Sequence, residues 1–130
     1  MKAYIDCFRR LFVTLAAMGL IALTQAGCDD YFADNIDHDP APGMGSLVVD
    51  NNTMSSIKVF VDGAPTGQVG DGSCRAYDLV PGVHRVVLEE HHGDRNFSDY
   101  VDILGNQLTI LDVEADLLST TEYNVQIRYD

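Results

Sequence analysis

Glu89-Glu90-His91-His92-Gly93-Asp94 is the densest run of possible metal ligands and acid–base groups in the chain. A metal centre needs three or four ligands that converge on one point. On an extended strand His91 and His92 point to opposite faces, so they cannot serve one ion without a bend. His84 joins them only if neighbouring strands bring it close. The run reads as the polar tip of a hairpin, and neither a metal nor another cofactor is expected. Asp62, Asp71, Asp78, Asp94, Asp99, Asp102 and Asp112 could supply a carboxylate pair for glycoside hydrolysis, which requires two of them facing each other across a cleft. Most of these aspartates fall at turns, where their local hydrogen bonds are favoured. The glycine-rich stretch GQVGDG at 67–72 joins two extended runs, whereas a phosphate-binding loop opens a helix. No serine-centred elbow is present, and no basic patch with interleaved aromatics. The chain is expected not to be an enzyme. Tyr100, Tyr123 and Tyr129 are the candidate binding residues, as a strip facing carbohydrate or protein, with packing as the alternative use of such side chains.

The elements that must position these groups are short strands. From Ser46 onward, turn signals recur every eight to twelve residues, as in a sandwich or barrel. Ser46 to Asp50 is a first run. Ile57, Val59 and Val61 then alternate with Lys58 and Phe60, and Asp62-Gly63 supplies a tight hairpin turn. Thr66 to Val69 returns, and Cys74 to Leu79 carries Tyr77 and Leu79 toward the core. Pro81-Gly82 reads as a type II turn with Gly82 at positive φ. Val83 to Glu90, Phe97 to Ile103 and Gln107 to Ala115 follow. The last run alternates most cleanly, with Tyr123, Val125, Ile127 and Tyr129 on one face. The fold class is all-β: a small antiparallel β-sandwich of seven or eight short strands over 46–130, because the connections are too short for parallel crossovers.

The net charge is −12, and without residues 1–27 the balance is five basic to nineteen acidic residues. Such a surface excludes nucleic acid as a partner, since phosphates need Lys and Arg to displace their counterions. Residues 29–45, DDYFADNIDHDPAPGMG, combine five Asp with Pro40 and Pro42 and show no period. They read as an acidic, flexible linker. The Asp34, Asp37 and Asp39 spacing does not match an EF-hand calcium loop. Ahead of the linker, Lys2, Arg9 and Arg10 precede thirteen apolar or small residues, Leu11 to Leu23, and then Thr24-Gln25-Ala26-Gly27-Cys28. That order is a secretory signal over 1–27, expected as a helix and too short to span a bilayer comfortably.

Two resemblances add to this reading. Ala26-Gly27-Cys28 resembles the lipobox of bacterial lipoproteins, with Gln25 standing where those sequences usually carry an apolar residue. The resemblance implies cleavage before Cys28, a diacylglycerol on its thiol, and residues 28–45 as a lipidated Cys followed by the tether. With Cys7 removed and Cys28 acylated, Cys74 is expected to stay unpaired as a small packing residue. Val59-Phe60-Val61-Asp62-Gly63, Thr66-Gly67 and Leu79-Val80-Pro81-Gly82-Val83-His84 resemble a PEGA-type domain over residues 45 to about 113. Asn51 to Ser56 replaces that family's Pro-Glu-Gly-Ala signature. The resemblance implies a non-enzymatic β-sandwich on an exported protein, with Asp62, Gly63, Pro81 and Gly82 as structural turns. The expected protein is a lipid-anchored envelope lipoprotein facing the periplasm or the cell surface. Its expected partner is an envelope protein or cell-wall polysaccharide, and the alternative is a carbohydrate-binding module that uses the tyrosines.

Overall fold

A computed structural model describes residues 36–130. It contains eight strands: β1 Gly45–Asn51, β2 Ile57–Val61, β3 Ala64–Val69, β4 Cys74–Leu79, β5 Gly82–Glu90, β6 Asn96–Ile103, β7 Leu108–Ala115 and β8 Tyr123–Tyr129. They form two four-stranded sheets, ordered β4-β1-β7-β8 and β3-β2-β5-β6. The all-β sandwich expected from the turn spacing is therefore present. The expected signal peptide, the expected lipidation site Cys28 and the first part of the expected tether lie outside the described residues.

One pairing departs from the antiparallel expectation. β1 and β7 run parallel, with Leu47 beside Thr109 and Val49 beside Leu111. Short connections rule out parallel neighbours only for strands adjacent in sequence. Between β1 and β7 the chain builds the whole second sheet and β4, so its return to the same end needs no local crossover.

The core lies between the sheets. Leu47, Val49 and Leu111 from the first sheet meet Ile57, Val59 and Leu88 from the second, all with no accessible surface. Each such side chain contributes about 1.5–3 kcal/mol by leaving water. The alternation in β2 and β5 produces this face directly: Val86 and Leu88 point inward, while Arg85 and Glu89 point out. β3, an edge strand, tolerates Pro65 and carries a bulge opposite Val59 and Phe60.

The first sheet also buries part of its other face, where Val48, Leu108 and Ile110 form a second cluster joined by Ile36 and Ala76. Residues 36–44, read above as the end of a flexible tether, are held here. His38 Nε2 lies 2.8 Å from Asp78 Oδ1, the Ala41 N–H donates to Asp78 Oδ2 at 3.1 Å, and Met44 N closes a turn on Ala41 O. The ordered module thus begins before residue 46, because Asp78 on β4 offers these residues a fixed acceptor.

Candidate functional site

The strand directions divide the loops between two ends of the sandwich. At the end where the chain enters β1 lie Asp62-Gly63, Pro81-Gly82 and the β6–β7 turn. At the opposite end lie residues 52–56, 70–73, 91–95 and 116–122.

The entry end is built by the turn residues singled out in the sequence. Asp62 and Gly63 both have positive φ, 52° and 82°, as a two-residue I′ hairpin loop requires. Pro81-Gly82 is a bend in which Gly82 stands at φ 140° and leads straight into β5, wider than the type II turn expected. Asp62 ties the two corners together. Its Oδ1 accepts the Arg85 N–H at 2.9 Å and its Oδ2 meets His84 Nδ1 at 2.7 Å, while His84 Nε2 meets Val80 O at 2.7 Å. A carboxylate and a carbonyl can only accept, so both contacts are satisfied together when both ring nitrogens donate, and the arrangement favours the imidazolium form of His84. The Val80 carbonyl, and then Asp62, raise the His84 pKa against its partial burial. The hydrogen bond from His84, and then that from Arg85, lower that of Asp62. Each Asp62 oxygen and each His84 ring nitrogen has a partner, so this Asp-His pair is a clasp between the two corners.

The far end is built differently. Asn51, fully buried, donates through Nδ2 to Ser55 O at 2.8 Å and Gly70 O at 2.9 Å, and accepts through Oδ1 from Thr53 N at 3.0 Å. This fixes the 52–56 loop with Met54 turned outward. In the 116–122 loop, Asp116 Oδ1 accepts the Leu118 N–H at 2.8 Å, and Ser119 Oγ accepts the N–H groups of Thr121 and Glu122. Asn96 N donates to Thr121 O at 3.0 Å and anchors that loop to the second sheet. The two loops leave neighbouring strands at the same end, since Asn52 N donates to Val113 O. Met54, Leu117 and Leu118 are 96%, 97% and 98% exposed. Three large apolar side chains held in water by ordered backbone are the surface feature that sequence reasoning missed. The available signal was Leu117-Leu118 inside an otherwise polar loop.

The other candidates separate. Tyr123 is buried in the core, a correction to its reading as a binding residue: its face of β8 points inward where β8 covers β6. Tyr129, on the same face of β8, is half exposed, and Tyr100 stands 70% exposed on the outer face of β6 in the other sheet. The three tyrosines therefore do not form one strip. His91 and His92 sit with ring centroids 3.9 Å apart in the β5–β6 turn, and burial, together with the neighbouring His92, lowers the His91 pKa. Glu90 in the same turn pairs with Arg95 at 3.6 Å. Among the described residues no three His, Cys, Asp or Glu gather as a metal site would require. Cys74 is disulfide-bonded, against the expectation of an unpaired thiol.

No protein-family model matches the chain, and no curated protein matches it. Among solved structures, the C-terminal domain of AlgF from P. aeruginosa is similar, with a TM-score of 0.54 at 14% identity, covering 68% of this chain and 99% of that domain. At such an identity the likeness establishes a shared small β fold and nothing beyond it.

Proposed function

We propose that this chain is a non-enzymatic protein of the bacterial envelope whose sandwich, PEGA-like in its turns, docks a partner protein at the loop end opposite its N-terminal entry. The observation that carries the reading is the nearly complete exposure of Met54, Leu117 and Leu118 on hydrogen-bonded loops. Burying three such side chains yields about 1.5–3 kcal/mol each. Losses of motional freedom on association absorb much of that, so shape and charge must add to it. Asp71, Asp94, Asp116 and Glu122 lie on the same end, while Arg95 is engaged by Glu90. The fitting partner is an apolar socket rimmed by Lys or Arg. The basic start and apolar run of residues 1–27 support export. Docking at the far end works the same way whether or not lipid on Cys28 holds the protein to a membrane.

The test is a photo-crosslinking residue at position 118, and in parallel at 100, in the full-length protein in its own bacterium. A discrete protein adduct from 118 but not from 100 is expected. With the crosslinker at position 54, Leu117→Asp/Leu118→Asp should abolish the adduct without shifting Tm. Equal adducts from both positions, none from 118, or adducts with glycan in place of protein overturn the reading.

A further inference from the structure

We propose that β8 is the seam of a homodimer, pairing antiparallel with β8 of a second copy so that the two first sheets join into one. The strands at the sheet edges are β3, β4, β6 and β8. An open edge offers unpaired N–H and C=O groups to any extended chain, and proteins block such edges with Pro, charge, bulges or cover. β3 carries Pro65 and a bulge. β4 leans on β3, because Arg75 donates to Gln68 O and the Tyr77 ring lies over Gly67. On β6 the Asp99 carboxylate caps the N–H of Tyr100 at 2.8 Å. β8 lacks such devices. Its sequence YNVQIRY holds no Pro, Asp or Glu, and its register with β7 is unbroken. Its one charge, Arg128, turns onto Asp112 of β7.

The direction of its backbone groups follows from one contact. Leu108 and Asp130 exchange both hydrogen bonds, so on this antiparallel ladder Arg128, Gln126 and Asn124 also bond β7. The N–H and C=O groups of Val125, Ile127 and Tyr129 therefore point to the open edge. β6 closes that edge at the far end, where Asn96 bridges Glu122. The side chains agree with this. On the inward face of β8, Tyr123 is 7% exposed, Ile127 37% and Tyr129 50%, so cover fades toward the entry end.

The occupant must be an extended strand that is apolar on one face and free of like charge. β8 supplies it to itself. A two-fold interface needs a self-complementary surface. With the axis at Ile127, the middle of the open segment, Ile127 meets its own counterpart and Val125 meets Tyr129 of the second copy. These pairs use the backbone groups that point outward, and they cover the inward face that β6 leaves bare. Gln126 faces Arg128 across the seam, so no like charges are opposed. A slip of one residue would set the outward groups against groups already bonded to β7, which restricts the register to steps of two. The seam runs toward the entry end and leaves Met54, Leu117 and Leu118 free in the dimer.

The test is a photo-crosslinking residue at position 129 in the full-length protein in its own bacterium. The expected product is a dimer of this chain whose crosslinked peptide contains Val125 of the second copy. Ile127→Pro and Ile127→Lys should each abolish it while retaining a cooperative melt. The Ile127 N–H faces the open edge, so Pro there costs no bond to β7, and Lys leaves the backbone intact. The Tm of the purified wild-type protein should rise with its concentration, as it does when association stabilises the folded state. An adduct with another protein, an adduct to another part of the second copy, or no adduct overturns the seam. So does a dimer that survives both substitutions, or a Tm independent of concentration. None of these results touches the adduct from position 118, by which docking at the far end is judged.

Discussion

In the first sheet, Val48 and Ile110 on the outer face are as inaccessible as Leu47 and Leu111 on the inner face. In the second sheet the outer face carries Lys58, Arg85, Glu89 and Tyr100, with Tyr100 70% exposed, and only the inner face is dry. The two central strands of the first sheet are covered on both faces, those of the second mainly on one. Strand direction fits the difference. Parallel pairing is found where both faces are covered, and the parallel β1–β7 pair lies at the centre of the doubly buried sheet.

The strongest way to break this comparison is to truncate matched residues. Ile110→Ala, outward in the first sheet, and Leu111→Ala, inward beside it, should each cost about 2–5 kcal/mol, read as urea midpoints. Val87→Ala, outward and partly buried in the second sheet, should cost less than about 1 kcal/mol. If Ile110→Ala is as mild as Val87→Ala, the first sheet has only one load of core.

Asn51 joins the two sheets, because its side chain reaches from β1 to the carbonyls of Val69 and Gly70 at the end of β3. Asn51→Ala orphans those acceptors and frees the 52–56 loop. It should cost about 1–3 kcal/mol and speed proteolysis near Met54. Leu118→Asp at the exposed tip should change stability by less than about 0.5 kcal/mol.

Each sheet also carries one Asp-His tie, and these separate by pH. The His84 pKa is raised above its ordinary 6.5, so the stability it adds is complete below that value and is lost as pH rises through the folded-state pKa. The Asp62 and Asp78 pKa values are lowered from 3.8. What those carboxylates add is present above 3.8 and is lost as pH falls through their depressed values. His84→Gln should flatten the fall in Tm on the alkaline side of 6.5 and shrink the acid limb by the Asp62 share while leaving that of Asp78, as thermal melts across pH will show. A wild-type alkaline limb that persists in His84→Gln would remove the clasp from the account.

The second sheet was legible because half-buried strands alternate. Ile57, Val59 and Val61, and Val86 and Leu88, stand on the faces their period assigns. The first sheet was legible as strands but not as a layer. GSLVVDN and LTILDVEA are near-continuous apolar runs, and period alone does not say which of their faces is covered or that they lie side by side. That β1 pairs with β7 depends on contacts across more than fifty residues of chain, which no local pattern encodes. The turn residues Asp62 and Gly63 were readable from φ requirements. The far-end surface was not, because an exposed Leu-Leu pair differs from a buried one only in what hydrogen bonds do to its loop. Tyr123 was misplaced for the converse reason: its period was right, but which face of β8 is covered depends on where β6 passes.

The finest comparison of the sheets lies where their edges meet. Tyr77 on β4 of the first sheet reaches across to Gly67 on β3 of the second, where a Cβ would come within 2.7 Å of the phenol oxygen. The chain leaves that space empty for the ring, yet the Tyr77 hydroxyl is buried without a hydrogen-bond partner among the described residues. Burial accordingly raises its pKa. An unpaired buried hydroxyl carries a desolvation cost with no compensating bond, so removing it while keeping the ring retains the packing and relieves the cost. Tyr77→Phe should therefore raise stability by up to about 1 kcal/mol, opposite in sign to every other core substitution. A loss of more than that in a urea melt would mean that the hydroxyl holds the two sheet edges together, and that the contact over Gly67 is polar.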